Sequence, residues 1–308
     1  MIMEWEIRVI EWLQSNLGSF ASILGKAMSF IGSEHGLLII ILIAMFCYKK
    51  ETGNKMALIL STMLCWLGMI KGAVMRPRPY IEYPDRVKML VKVESGAAAD
   101  NVSAQGYSFP SMHSASAAAM YFTLANSIRK RWSYIFASIL TFMMCTSRVI
   151  AGVHYPTDVL AGLTLGIFSM FIYDLLERKI EKSWLRNLLL LCSALPGILF
   201  VRTQDYYTAL GILIAINLVI PFEEKYVRYE NSNSIIAKIL RVLGAFVTYL
   251  VVNSLLKALF GKFSLNDTSL LFLLIRTLRY TIDIFIILGV YPMIFPLYEK
   301  IVKKPDNK

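Results

Sequence analysis

The sequence predicts an all-α protein, a multi-pass transmembrane helical bundle of about nine spans with an N-terminal interfacial helix. The chain has 308 residues, of which 56% are hydrophobic, and its mean hydropathy is +0.56. A water-soluble globule cannot bury so large an apolar share, so most of the surface is expected to face lipid. Apolar runs of about 15 to 25 residues recur along the chain, which is near the length that a helix needs to cross a hydrocarbon core of about 30 Å.

The predicted spans occupy most of the chain after residue 34. They are residues 35–48, 56–74, 112–128, 133–151, 157–176, 185–202, 207–222, 237–258 and 269–296. Residues 19–31 are short and carry Lys26, so we interpret them as interfacial or re-entrant. A tenth span at this position would reverse the side on which the N-terminus lies.

Residues 1–18 interleave charged residues with apolar ones such as Trp5, Ile7 and Ile10. This pattern is typical of an amphipathic helix at the membrane surface, and it differs from that of a cleavable signal peptide. We therefore predict three parts: an N-terminal interfacial segment (1–31), a core that contains the polar motifs described below (32–182), and a C-terminal membrane helical block (183–308).

The net charge of +11 comes from lysines and arginines dispersed between the apolar runs. Because they form no continuous basic stripe, nucleic-acid binding is not predicted. Alternate connectors are basic, and the positive-inside rule places them and the C-terminus in the cytoplasm. The longest opposite connector, 75–111, contains a stretch of mixed charge (80–108) that we expect to cover a site on the extracytoplasmic side of the cell membrane. The four cysteines lie in apolar runs and indicate no disulfide framework.

Unusual polar residues lie at the ends of three spans, all at the same predicted depth. The first stretch, KGAVMRPRP (71–79), places Lys71 and Arg78 seven residues apart, on one face if the helix continued. Its two prolines predict that the helix ends nearby. In the second, FPSMHS (109–114), we expect Pro110 to begin a helix whose first turn offers Ser111, His113 and free amides to an anion.

The third stretch is SRVIAGVHYPTD, residues 147–158. Ser147 and Arg148 end one predicted span, while His154 and Asp158 flank the start of the next. A helix that begins at Pro156 brings the carboxylate against the imidazole and fixes its tautomer. The free ring nitrogen is then suited to nucleophilic attack.

The remaining motif residues have roles consistent with that attack. His113 is suited to protonate a leaving oxygen, and Lys71, Arg78 and Arg148 supply three cations for one anionic group. The sequence shows no carboxylate cluster and no Cys/His spacing typical of a metal site, so we predict neither a metal nor another cofactor.

The chain resembles the type-2 phosphatidic acid phosphatase superfamily in the order and spacing of three motifs. These are Lys71-x6-Arg78-Pro79, then Pro110-Ser111-x-His113, then Ser147-Arg148-x5-His154-x3-Asp158. The resemblance implies a metal-independent phosphatase with a phosphohistidine intermediate, in which His154 is the nucleophile, Asp158 orients it and His113 is the general acid. It also implies that the phosphate is bound by Lys71, Arg78, Ser111, Arg148 and the residue at position 112.

The chain departs from the family pattern at Met112, where the family usually has glycine. Methionine keeps the main-chain N–H but adds a side chain, so we expect activity with an altered fit for the substrate. The motifs span residues 71–158, and the membrane pattern extends the similarity to residues 30–176. Residues 185–308 lie beyond the motifs, although a nine-span layout is similar to that of the glucose-6-phosphatase branch.

The headgroup depth of these residues favours a lipid substrate: phosphatidic acid, phosphatidylglycerol phosphate or a polyprenyl diphosphate. Two alternatives stay open. One is a phosphatase for a water-soluble phosphate ester, and the other is a non-enzymatic lipid transport or binding protein. The two motif histidines favour an enzyme, because anion binding needs cations but neither a nucleophile nor an acid.

Other residues receive structural interpretations. We predict that Gly162 and Gly166, four residues apart, are sites of close helix packing. Arg279 and Asp283 are spaced for an ion pair within one helix. His35 has no comparable motif around it and is interpreted as a residue at a loop edge.

Overall fold

In a computed structural model that describes residues 4–91, 106–261 and 269–302, the described chain is helical and contains no β-strand. The helices are α1 (Glu4–Ile31), α2 (Glu34–Ile43), α3 (Lys50–Val74), α4 (Pro79–Glu82), α5 (Met112–Ile128), α6 (Arg131–Ile150), α7 (Pro156–Lys179), α8 (Ser183–Ala194), α9 (Gln204–Phe222), α10 (Ile235–Phe260), α11 (Leu270–Phe285) and α12 (Phe295–Val302). Short π-helical segments continue α2, α9 and α11. The predicted all-α class is confirmed.

The chain forms two compact units. The first contains residues 1–37 and 66–174, and the second contains residues 38–65 and 175–308. All the motif residues lie in the first unit. In the second unit α9 packs along α11, and α10 also contacts α11. The three-part division predicted from the sequence stays a prediction.

Within the described residues, five helical segments are long and apolar enough to cross a membrane. They are Lys50–Glu82, Arg131–Ile150, Pro156–Lys179, Gln204–Val227 and Ile235–Phe260. A sixth is possible if Ile23–Ile31 and Glu34–Tyr48, which are bent by 56° relative to each other, form one broken span. The chain is therefore a multi-pass membrane protein, but the predicted number of nine spans is not confirmed.

The difference arises where apolar runs form short or interrupted helices. The run at 112–128 forms a helix of 17 residues, and that at 185–202 forms a helix of 12 residues that passes into a 3-10 segment at Leu195–Leu199. The run at 269–296 forms a helix of 16 residues followed by π and 3-10 segments. Hydropathy counts apolar residues, whereas the length of a regular helix also depends on prolines and local packing.

Helix α6 exposes large apolar side chains along one face, as a helix that faces lipid is expected to do. Each of these residues lies three or four positions from another member of the set: Trp132, Ile135, Phe136, Ile139 and Phe142. A continuous apolar stripe of this kind would be unfavourable in water and is favourable against hydrocarbon.

Helix α1 is one continuous helix of 28 residues that includes the ambiguous segment 19–31. Ile7 and Ile10 are fully buried in a cluster with residues of the loop before α7, whereas Trp5 and Trp12 are exposed. Its apolar residues are thus divided between a protein-facing side and an outer side. The interfacial position of α1 stays a prediction.

Two boundaries near the motifs follow from local chemistry. Helix α3 ends at Val74, close to the prolines as predicted, and Met75 has a positive φ of 50°. Helix α5 begins at Met112, so the prediction that Pro110 begins it was wrong by two residues. Ser111 is the N-cap, and its Oγ accepts a hydrogen bond from Ser114 N at 3.4 Å.

The start of α5 lies directly against α7 because two glycines of α7 have no side chain. A Cβ atom on Gly162 would overlap the carbonyl oxygen of Ser111, and one on Gly166 would overlap that of Ala115. The predicted packing role of both glycines is confirmed. This approach places Ser111 N 2.9 Å from the carbonyl oxygen of Asp158, to which it donates.

The substitution Gly162→Ala is expected to push α5 away from α7. Overpacking of this kind costs about 1–3 kcal/mol, although alanine is intrinsically the better helix former. We expect a lower thermal unfolding midpoint in detergent. Thr164→Ala, on the exposed face of α7, is the control; equal midpoints for the two variants would contradict the packing role.

Candidate active site

The sequence-predicted site residues come together at one end of the first unit. Lys71 lies in the last turn of α3, and Arg78 is the N-cap of α4. Ser111 caps α5, whose first turn carries Met112 and His113. Arg148 lies in the last turn of α6, His154 lies in the loop before α7, and Asp158 lies in the first turn of α7. The ends of several helices therefore bring these polar side chains to one place.

The contact with Arg78 shows which ring nitrogen of His154 carries the proton. Arg78 Nε donates to the carbonyl oxygen of Gly106 at 3.0 Å, and its Nη1 donates to that of Val153 at 2.9 Å. The same Nη1 lies 3.3 Å from His154 Nε2. A guanidinium group can only donate, so Nε2 is the acceptor and the ring proton of the neutral imidazole is on Nδ1. The unprotonated nitrogen therefore faces the arginine.

Asp158 stands on the other side of the imidazole, as the four-residue spacing predicted, but the contact is longer than expected. Oδ2 of Asp158 lies 3.6 Å from His154 Nδ1, beyond hydrogen-bonding distance, and Nδ1 is buried without a hydrogen-bond partner. Oδ2 instead accepts from Tyr155 N at 2.8 Å. A movement of about 0.5 Å would complete the bond to Nδ1, as catalytic contacts commonly do when substrate binds.

Main-chain carbonyls orient the two other predicted cations. Lys71 Nζ donates to Tyr107 O at 2.8 Å, and Arg148 Nη2 donates to Gly25 O at 2.9 Å. Such contacts fix the direction of a cation without cancelling its charge. The site is therefore suited to a phosphate group with two negative charges.

Exposure distinguishes the mouth of the site from its base. Lys71, Met112 and His113 are partly exposed, whereas His154 and Asp158 are buried. Arg78, Ser111 and Arg148 are buried as well. Met112 thus stands at the opening, where its side chain can affect how a substrate fits, and the nucleophile candidate lies deeper.

The electrostatic environment of His154 keeps its imidazole neutral. Burial, and then the positive charges of Arg78, Lys71 and Arg148, lower the pKa of His154 well below its ordinary value of 6.5. A neutral imidazole retains the lone pair that nucleophilic attack requires.

Sequence reasoning missed two residues behind Asp158. Arg76 Nη1 donates to Asp158 Oδ1 at 2.7 Å, and Arg76 Nη2 donates to Glu6 Oε2 at 2.7 Å. Arg76 stands inside the KGAVMRPRP stretch, two residues before Arg78, which was an available signal. Glu6 gave a weaker signal, an acidic residue next to the buried Ile7.

The described part of the predicted cap, residues 80–91, packs beside α1 and the loop before α7. Leu90 N donates to Ala151 O at 3.0 Å, and Gln14 Nε2 donates to the carbonyls of Lys88 and Ile150 at 2.7 and 3.0 Å. Residues 92–105 of the predicted cap lie outside the described residues.

Comparison with known proteins places this site in a family. Residues 53–181 match the PAP2 superfamily, and residues 207–300 match the transmembrane extension of PAP2 superfamily phosphatases. The chain is 31% identical over 156 residues to phosphatidylglycerophosphatase B of Bacillus subtilis, which covers 47% of this chain and 68% of that protein. It is 33% identical over 75 residues to lipid A 4'-phosphatase of Bacteroides thetaiotaomicron, covering 24% of this chain and 33% of that protein.

The chain belongs to the PAP2 superfamily and is a membrane phosphatase, which confirms the resemblance carried by the three motifs. No solved structure matches the chain significantly. Both family matches begin after residue 52, so α1 lies outside them.

The neutral state of His154 can be tested by NMR on protein labelled with ¹³C in its three histidine rings. Because the pKa is lowered well below 6.5, the ring is expected to stay neutral when the pH falls from about 7.5 to about 6.5, where a free imidazole is half protonated. His154→Asn identifies the resonance, and free imidazole in the sample reports the pH. A titration midpoint at 6.5 or above for His154 would contradict the expected environment.

Proposed function

We propose that the protein hydrolyses a phosphate monoester or diphosphate of a membrane lipid through a phosphohistidine intermediate on His154. The observation that carries the proposal is the pair of contacts made by the imidazole. Arg78 approaches Nε2 at 3.3 Å, and Asp158 lies 3.6 Å from Nδ1. One nitrogen therefore has an available lone pair, and the other holds its proton toward a carboxylate.

In the first step, a substrate phosphate takes the Arg78 N–H that Nε2 accepts in the resting site. The lone pair of Nε2 then attacks phosphorus, and the bond from phosphorus to the lipid oxygen breaks. Burial and the charges of the nearby cations lower the pKa of His113, so His113 takes up a proton together with the anionic substrate and gives that proton to the departing oxygen. Asp158 stabilises the positive charge that the phosphorylated imidazole acquires.

In the second step, neutral His113 takes a proton from water while the water oxygen attacks phosphorus. The phosphorus–nitrogen bond breaks, its electron pair returns to Nε2, and inorganic phosphate leaves. Lys71, Arg78 and Arg148 stabilise the negative charge that spreads over the phosphoryl oxygens in both steps. We assign the main-chain amides of Met112 and His113, at the N-terminus of α5, to binding of the same group, as helix N-termini commonly bind anions.

The lipid substrate class is supported by two observations. The site lies at the ends of membrane-spanning helices, where the phosphate of a lipid headgroup resides. Both relatives are named for phosphatase action on lipids, a phosphatidylglycerol phosphate and lipid A. Phosphatidic acid, phosphatidylglycerol phosphate and a polyprenyl diphosphate share the chemistry that this site requires: an anionic phosphate beneath an apolar tail.

The proposal predicts metal-free phosphate release by purified protein in detergent containing excess EDTA. We expect release from at least one of phosphatidic acid, phosphatidylglycerol phosphate and a polyprenyl diphosphate. His154→Ala is expected to lower the rate by about 10³-fold or more, since a nucleophile has no substitute. His35→Ala, at an exposed histidine outside the site, is the matched control and should keep the wild-type rate.

Other outcomes of this assay separate the alternatives. Glucose 6-phosphate turned over in preference to every lipid would indicate a phosphatase for soluble esters. Full activity in a folded His154→Ala protein would reject the phosphohistidine mechanism. Absence of turnover, with retained binding of the lipids, would favour a transport or binding protein.

We further propose that the site faces the extracytoplasmic side of the cell membrane and that the C-terminus is cytoplasmic. Lys71, His113, Arg148 and Asp158 lie at one end of their helices. At the opposite ends are basic residues of the connectors, such as Arg131 and Lys179. The positive-inside rule assigns those basic ends to the cytoplasm.

Sidedness can be measured by labelling single cysteines in intact cells, after replacement of the four native cysteines. A cysteine at position 85 is expected to react with an impermeant maleimide, and one at position 130 only after the membrane is opened. The reverse pattern would overturn the proposed orientation.

A further inference from the structure

Helix α1 contacts the motif residues although it lies outside both family matches. Glu6 is buried, with 1% of its side chain exposed, and both of its oxygens are used. Oε1 accepts from Thr157 N at 3.2 Å and Thr157 Oγ1 at 2.6 Å. Oε2 accepts from Arg76 Nη2 at 2.7 Å. A buried carboxylate with this many donors is a fixed point from which other groups can be oriented.

Arg76, held in place by Glu6, in turn fixes the orientation of the Asp158 carboxylate. Its Nη1 donates to Asp158 Oδ1 and to Thr157 Oγ1, both at 2.7 Å. Its guanidinium carbon lies 3.9 Å from the centre of the Tyr155 ring, so the plane of the group is held by stacking as well. With Oδ1 held by Arg76 and Oδ2 accepting from Tyr155 N, the Asp158 carboxylate has one orientation, in which Oδ2 faces His154 Nδ1.

Because Glu6, Arg76 and Asp158 are largely removed from water, a change in one of them affects the other two. Asp158 is fully buried and Arg76 is 13% exposed, so an ion that loses its partner has little access to water. An uncompensated buried charge is strongly unfavourable, which forces its neighbours to rearrange. Neutralising Glu6 therefore loosens Arg76, and a loosened Arg76 no longer fixes Asp158.

We infer that Glu6 and Arg76 are positioning residues for the Asp158–His154 pair, and that α1 therefore contributes to the geometry of the active site. The inference rests on the proposed function, because it assigns His154 as the nucleophile. The hydrogen bonds of Glu6 described above lead to Arg76 and Thr157, and Arg76 continues to Asp158, so Glu6 is assigned an effect through Arg76.

The chain offers a matched control for simple attachment of α1. Arg86 donates to Glu11 at 2.7 and 2.8 Å and to Glu4 at 3.0 and 3.3 Å, so a second arginine binds the same helix. This pair is exposed, with 36% of Arg86 and 34% of Glu11 accessible, and it does not contact the motif residues. Glu11→Gln thus removes a carboxylate from α1 without altering the contacts that connect Glu6 through Arg76 to Asp158.

The test compares the steady-state kinetics of Glu6→Gln and Glu11→Gln on the lipid with the highest wild-type turnover. For Glu6→Gln we expect kcat to fall about tenfold or more, as for other residues that orient a catalytic group, while KM changes less than about twofold. Glu11→Gln should keep both constants. A rise in KM without a fall in kcat, or the same kcat loss in Glu11→Gln, would overturn the inference.

A double-mutant cycle tests whether Glu6 acts through Arg76. The variant Glu6→Gln/Arg76→Gln is expected to have the kcat of Arg76→Gln alone, because Glu6 can no longer affect Asp158 once Arg76 is replaced. Losses that multiply would show two independent roles and contradict the inference. If Arg76→Gln does not fold, Arg76→Lys replaces it in the cycle, since a single ammonium nitrogen cannot reproduce the two-nitrogen contact that joins Glu6 to Asp158.

Wild-type protein and His154→Ala, measured in the same assay, distinguish a failure of the proposed function from a failure of the positioning role of Glu6. An inactive wild type or an active His154→Ala protein would reject the proposed function. An active wild type, an inactive His154→Ala protein and an unaffected Glu6→Gln protein would reject the positioning role alone.

Discussion

The main-chain hydrogen bond from Ser111 N to Asp158 O, at 2.9 Å, is the contact on which the geometry of the candidate site depends. It joins the start of α5 to the start of α7 at the depth of the two motif histidines. The bond is possible because Gly162 leaves room for the Ser111 carbonyl. Without this approach, the general acid candidate on α5 and the nucleophile candidate before α7 would lie on helices too far apart to act on one phosphorus atom.

The fold class and the phosphatase family were predictable from the sequence, for reasons that can be named. Membrane helices are apolar on their lipid side, so the intervals between lysines, arginines and histidines are informative against that background. The spacing from His154 to Asp158 is one helical turn, and the prolines after Lys71 end α3. Gly162 and Gly166, four residues apart, indicated where two helices meet. Each of these signals is local in the sequence, and each reports on a structure that is also local.

The features that escaped prediction depend on distant parts of the chain. Glu6 and Arg76 are 70 residues apart, and only folding brings them within 2.7 Å. The carbonyl of Gly25, which accepts from Arg148, belongs to a main-chain group that carries no residue-specific signal. The nine predicted spans are not confirmed by the helices of the described residues, because hydropathy does not detect the point at which a helix breaks into a 3-10 or π segment. Hydrogen bonds of the main chain and irregular helix ends are therefore the part of this structure that composition does not encode.

The contact between Arg78 and His154 has a consequence for the chemical selectivity of the site. In the unliganded protein, the lone pair of Nε2 is already engaged by an arginine N–H at 3.3 Å. A proton or an uncharged electrophile offers the guanidinium group no replacement for that acceptor, whereas a phosphate oxygen does. Under the proposed mechanism, the imidazole is therefore masked until an oxyanion arrives, and the group that unmasks it also carries the atom to be attacked. That mechanism would couple reactivity to recognition through one hydrogen bond and would protect a buried nucleophile from the other electrophiles that a membrane surface contains.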